Sequence, residues 1–272
     1  MKSSTNDALL TFGGHLEVFR QMLFRILGVA GLIAAVVFCF KETIWEFLLA
    51  PSEWDFCAYR WIEAFIQSLG MDFRFKEYHV NLIATDLSSQ FMTHITTAVY
   101  LGLLGASPYI LFELFRFISP ALYENERKYS VQVAGTIYVL FIIGVLMSYF
   151  VLFPISFRFL GTYSVSAKVV SNITIDSYVS TFVSLTLLMG VVFQLPVIAF
   201  FLAKMEIVSS DMLSQYRRHA FIIIMMVAAV ITPPDLMTLV LVSIPLYLLY
   251  EVSVRIVKLV EKRKIVNETG EL

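Results

Sequence analysis

The chain has 272 residues, 58% of them apolar and 15% charged, with a net charge of −1 and a mean hydropathy of +0.79. Soluble domains sit at roughly half apolar and a quarter charged, so this balance excludes an ordinary globular protein and predicts an all-α polytopic membrane protein. The net charge says nothing about partners, no nucleic-acid partner is expected, and Cys39 and Cys57 have neither metal nor redox spacing, so no metal, cofactor or disulfide is expected.

About 20 apolar residues cross about 30 Å of hydrocarbon, and by that measure six spans are expected. They lie at about 22–40, 91–115, 131–153, 178–203, 220–231 and 236–257. Ahead of the first, Leu16, Phe19 and Leu23 recur at helical spacing, so the helix is expected to begin before the membrane. The polar start of the chain predicts no cleavable signal peptide. The connection 41–90 is long and aromatic. Within it Trp61, Ile62, Phe65, Ile66 and Leu69 share one face of a short helix, expected to rest on the bilayer surface.

Gly105-Ala106-Ser107-Pro108 interrupts the second span, where proline predicts a kink and the small residues a close neighbour. A polar interval follows, Phe115 to Tyr129, in which Ser119-Pro120 marks a helix boundary and Glu124, Glu126, Arg127 and Lys128 stand close together. A solvated loop carrying topology charges accounts for this interval. A second carboxylate, Glu17, occupies a similar setting at the head of the first span.

The third span is expected to end at Pro154, and 154–177 forms a second outer connection. Gln194-Leu195-Pro196 lies near the middle of the fourth span, where a polar side chain needs a partner. The fifth span makes only about 18 Å before Thr232-Pro233-Pro234-Asp235 stops it. Spans five and six, the latter interrupted by Pro245, therefore predict a short hairpin in which Asp235 caps span six, and a concave molecule. Residues 258–272 form a charged tail, and no internal repeat is visible.

Six spans put both termini on one side. That side holds fourteen Lys and Arg against six on the other, so it is expected to be cytoplasmic, and Glu17 and Glu126 share it.

In order along the chain stand His15-Leu16-Glu17 with Arg20, Ile83-Ala84-Thr85-Asp86, Ser107-Pro108, and Phe117-Ile118-Ser119-Pro120-Ala121-Leu122-Tyr123 with Glu126-Arg127. Phe153-Pro154, Phe193-Gln194-Leu195-Pro196, Thr232-Pro233-Pro234-Asp235 and Ile244-Pro245-Leu246-Tyr247 with Glu251 complete the set. Each is weak alone, but on a six-span frame the ordered set resembles TatC, the core subunit of the twin-arginine protein translocase. The resemblance covers nearly the whole chain, read as one membrane domain, 1–272, of the inner membrane.

The resemblance implies a non-enzymatic receptor. It would bind signal peptides of folded export substrates at its cytoplasmic face, self-associate, and work with TatA- or TatB-like single-span partners using the proton-motive force. Glu17 and Glu126 match the family's recognition positions, with Arg20, Arg127, Phe117 and Pro120 as possible supports. Independently, two arginine forks can each take a carboxylate bidentately, which the compact, strongly hydrated lysine head does poorly. Many family members carry Glu where this chain has Gln194, so a titrating role there is in doubt. Gln194 and Thr232 are left as partner contacts or plain intramembrane bonds, and Leu239 stands where some members are polar. The 41–90 connection exceeds the family's usual length.

Two other classes compete. An intramembrane hydrolase would need a nucleophile and base within the spans, and the four histidines lie at span edges. An ion-coupled small-solute transporter predicts charges deep in the spans and repeat symmetry, and neither is apparent.

Overall fold

Backbone groups in hydrocarbon must be satisfied internally, so long apolar runs fold as helices. The computed structural model describes residues 12–72, 74–118, 130–164, 166, 172–232 and 235–269. These fall into two compact units, residues up to 39 with 98–138, and 40–97 with 139 onward. Five described helical stretches are long and apolar enough to cross a membrane.

The first unit contains α1 (Phe12–Cys39) and most of α4 (Ser89–Ile118). α1 begins well before the apolar run, as its amphipathic entry predicts. Met22, Ile26 and Ala30 bury one stripe of α1, while Phe24 and Leu32 stand about 70% exposed, the arrangement of a helix whose other faces meet lipid. Small residues make the contact with α4. A Cβ on Gly102 would lie 2.6 Å from the Ala34 Cβ, and Ala98 and Ala106, four residues either side, are buried. α4 continues through Pro108, which removes the donor that the Leu104 carbonyl would have used. The Ser107 hydroxyl donates to that carbonyl at 2.5 Å instead. The helix is described as far as Ile118, and Ser119-Pro120 lie outside the described residues.

The second unit opens with α2 (Lys41–Leu49), a helix inside a stretch that sequence treats as a connection. A 3-10 turn, Ala50–Ser52, follows, and then α3 (Cys57–Ser68). α3 buries Ala58 and Tyr59 and leaves Trp61 and Phe65 exposed. The third span is α5 (Ser130–Met147), and it does not stop at Pro154. A π-helical turn, Ser148–Leu152, leads into α6 (Phe153–Thr162), where the proline sits in the first turn and needs no donor. The outer connections join through a two-residue parallel pair, β1 (Leu82–Ile83) beside β2 (Ile173–Thr174).

Tyr59 organises this outer region. Its hydroxyl donates to the Pro154 carbonyl at 2.9 Å and lies 3.0 Å from the Tyr78 hydroxyl. The Arg158 guanidinium sits over the rings of Tyr59, Phe75 and Tyr78 at 5.2, 4.6 and 4.5 Å, and donates to the Lys76 carbonyl. Burial pushes the phenols of Tyr59 and Tyr78 above their ordinary range.

The fourth span is two helices, α7 (Ile175–Val192) and α8 (Leu195–Lys204), broken at Phe193-Gln194 just ahead of Pro196. After the short α9 (Ser210–Gln215), α10 (Arg217–Ile231) has fifteen residues, about 22 Å, and stays below bilayer thickness. α11 (Leu236–Thr269) keeps Pro245 inside and runs 34 residues, so span six continues as helix into the charged tail. It packs chiefly on α8 and α10. Arg217 pairs with Glu251 at 2.9 Å across the α10–α11 contact. Cys39 and Cys57 are free thiols.

Candidate functional site

α1 carries Glu17 and Arg20 three residues apart, hence on neighbouring positions of one helix face. The Arg20 guanidinium donates to Glu17 at 2.7 Å and the Gln21 amide donates to the same oxygen at 3.1 Å. Both charged side chains are about half exposed. Such a surface pair contributes only about 0–1 kcal/mol, so Arg20 holds the Glu17 carboxylate weakly. Phe19 meets Phe117 of α4 edge to face, ring centroids 5.8 Å apart. Glu126, Arg127, Pro120, Pro233 and Pro234 lie outside the described residues.

One deeper pair escaped the sequence reading. Glu113, on α4 within the second span, is 3% exposed. Arg25 of α1 donates to one of its carboxylate oxygens at 3.0 Å and the Tyr109 hydroxyl to the other at 2.9 Å. This buried charge sits at the end of its span, one residue before Leu114, and not deep within it. Its signal was legible: Glu113 is an acid inside an apolar run, with a tyrosine one turn earlier. In sequence Arg25 reads only as one of the fourteen Lys and Arg on the termini side.

In the second unit Gln194 is 7% exposed and precedes the first turn of α8. Its amide donates to the Gly190 carbonyl at 3.3 Å, a bond within its own chain segment. Thr232 is equally buried and donates to the Ala228 carbonyl at 3.0 Å. With Ile231 and the α7 residues Ser180, Thr181 and Ser184 it lines a cleft of about 130 Å³. Asp235 accepts from the Thr238 backbone N–H at 2.6 Å, capping α11. Among the described residues no three His, Cys, Asp or Glu side chains come together as a metal site.

Residues 14–245 match the family model described as Sec-independent protein translocase protein (TatC). A Sec-independent protein translocase protein TatC of Blattabacterium is 33% identical over 97% of this chain and 100% of its own length. The TatC of Carboxydothermus hydrogenoformans is 30% identical over 96% and 98%. A crystal structure titled as the twin-arginine translocase receptor TatC superposes with a TM-score of 0.71 at 27% identity, over 91% of this chain and 99% of that one. With a family model spanning most of its length and relatives matched nearly end to end, this multi-pass inner-membrane chain belongs to the TatC family of protein translocase components.

Proposed function

We propose that the chain is the signal-peptide receptor of a twin-arginine translocase and acts as a single membrane domain over residues 1–272. The observation that carries this reading is Glu17: a half-exposed carboxylate on the amphipathic entry of α1, held among the described residues by weak same-helix bonds, in a member of the TatC family. Glu17 and Glu126 each take one arginine fork of the signal peptide at the cytoplasmic face, with Arg20, Arg127, Phe117 and Pro120 in support. No bond is made or broken, so the role is not enzymatic. TatA- or TatB-like single-span partners and further copies of the chain complete the complex, and the proton-motive force drives export. Gln194 and Thr232 are the polar groups offered to a partner helix. Gln194 does so as a hydrogen-bonding amide, because it cannot titrate.

Site-specific photocrosslinking tests this in membrane vesicles. A twin-arginine peptide is expected to crosslink near the α4 terminus in the wild type. It should lose that crosslink in Glu17→Ala and Glu126→Ala, and a twin-lysine peptide should not form it. Crosslinks indifferent to both acids and both arginines, in correctly inserted protein, would refute the assignment.

A further inference from the structure

We propose that Arg25 and Glu113 form a positioning clamp, setting the register in which α1 presents Glu17 beside the end of α4. The inference rests on the receptor reading above and adds to it two residues that touch no ligand.

The α1–α4 contact explains why a clamp is needed. Ala30 and Ala34 on one helix meet Gly102 on the other, and Ala98 and Ala106, four residues either side of it, are buried. Small residues every fourth position make a seam that looks nearly the same after a slip of one turn, about 5.4 Å. Such a seam gives close packing but little register. A slip of that size would carry Glu17 away from Phe117 and the α4 terminus by the width of a side-chain contact.

Arg25 and Glu113 remove the ambiguity. The Glu113 side chain is 4% exposed and each carboxylate oxygen has its own donor, Arg25 at 3.0 Å and Tyr109 at 2.9 Å. Tyr109 lies on the same helix and moves with Glu113, so only Arg25 reports the position of α1. In the slipped register the carboxylate would be buried without its cation, a strongly unfavourable state. An apolar pair of equal volume would pack as well and would tolerate the slip. The lever is short: Phe117 is four residues beyond Glu113, and Glu17 is eight residues before Arg25.

The test uses the full chain in lipid nanodiscs, with labelled twin-arginine and twin-lysine peptides, comparing wild type, Arg25→Gln, Glu113→Gln and Arg25→Lys. A second readout is disulfide formation between Phe19→Cys and Phe117→Cys, with Cys39 and Cys57 replaced by serine. Wild type is expected to prefer the twin-arginine peptide by about tenfold or more. Either glutamine variant should compress that preference severalfold and slow the 19–117 crosslink. Arg25→Lys keeps a cation within reach of Glu113 and should retain most of both. If Glu113→Gln fails to insert, Arg25→Gln and Arg25→Lys decide alone, since the Arg25 side chain is half exposed. Glutamine variants that lower thermal stability while leaving preference and crosslink intact would overturn the clamp and leave a structural ion pair. A wild type with no arginine preference would sink the receptor reading itself, and the clamp with it.

Discussion

Gly144 of α5 lies against the backbone of Met189 on α7, so close that a Cβ there would stand 2.6 Å from the Met189 carbonyl oxygen. One residue along α7, a Cβ on Gly190 would meet the Phe141 ring at 2.5 Å. The two glycines let these spans touch backbone to side chain, and the Ser148 and Thr186 hydroxyls bond across the same contact at 3.2 Å. Gly144→Ala should therefore force the helices apart and cost about 1–3 kcal/mol. Gly135→Ala, where among the described residues nothing beyond its own helix backbone lies within 4 Å of the added Cβ, should be neutral or slightly stabilising. Apparent melting temperatures of the two variants in detergent check the contrast.

Arg158 holds the outer region through its flat guanidinium over three rings. Arg158→Ala should destabilise by about 2 kcal/mol, from the lost cation–π contacts. Arg158→Lys should recover only part of this, because an ammonium cannot stack as a plane. Limited proteolysis of the 50–80 segment would read the loosening directly, and equal protease resistance in all three proteins would contradict it.

The buried phenols of Tyr59 and Tyr78 make this region sensitive to alkali. Burial raises both above the unfolded value of about 10, with Tyr78 adding to the effect on Tyr59. An acid with a raised folded-state value contributes stability that is fully present below its unfolded value and is lost as pH climbs past it. Melting temperature should hold steady to about pH 9 and then fall beyond about pH 10. Tyr59→Phe should melt lower at neutral pH, having lost the bond to Pro154, and show a shallower alkaline decline.

Asp235 closes the turn between α10 and α11 by accepting from the Thr238 N–H. Asp235→Ala should lower stability by about 1 kcal/mol, and Asp235→Asn or Asp235→Ser should retain most of it, since each keeps a capping oxygen. A melting series over the three substitutions decides. Equal losses in all of them would point to the charge rather than the cap.

Much of the helical frame was readable because lipid leaves the backbone no alternative, and apolar run length counts the turns directly. The short fifth helix and the early start of α1 both follow from spacing. Local rules failed where a neighbour changed what a residue meant. Pro154 looked like a stop, yet it sits in the first turn of α6, where its missing donor costs nothing. Pro108 lies inside α4, where Ser107 supplies the hydrogen bond the proline removes. α2 was hidden in a polar-aromatic stretch because its amphipathic pattern is short and lies beside a membrane span.

The candidate site divides the same way. By itself the sequence determined the membrane class, the order of the apolar runs and the charge asymmetry, and it named Glu17 and Glu126 as candidates, because composition, spacing and motif are properties of the chain alone. Only the tertiary structure decided that Glu113 is buried against Arg25 and that Gly102 and Gly144 mark helix contacts. Those facts depend on which faces of distant segments meet. A helical period tells which residues share a face, but not which partner that face finds.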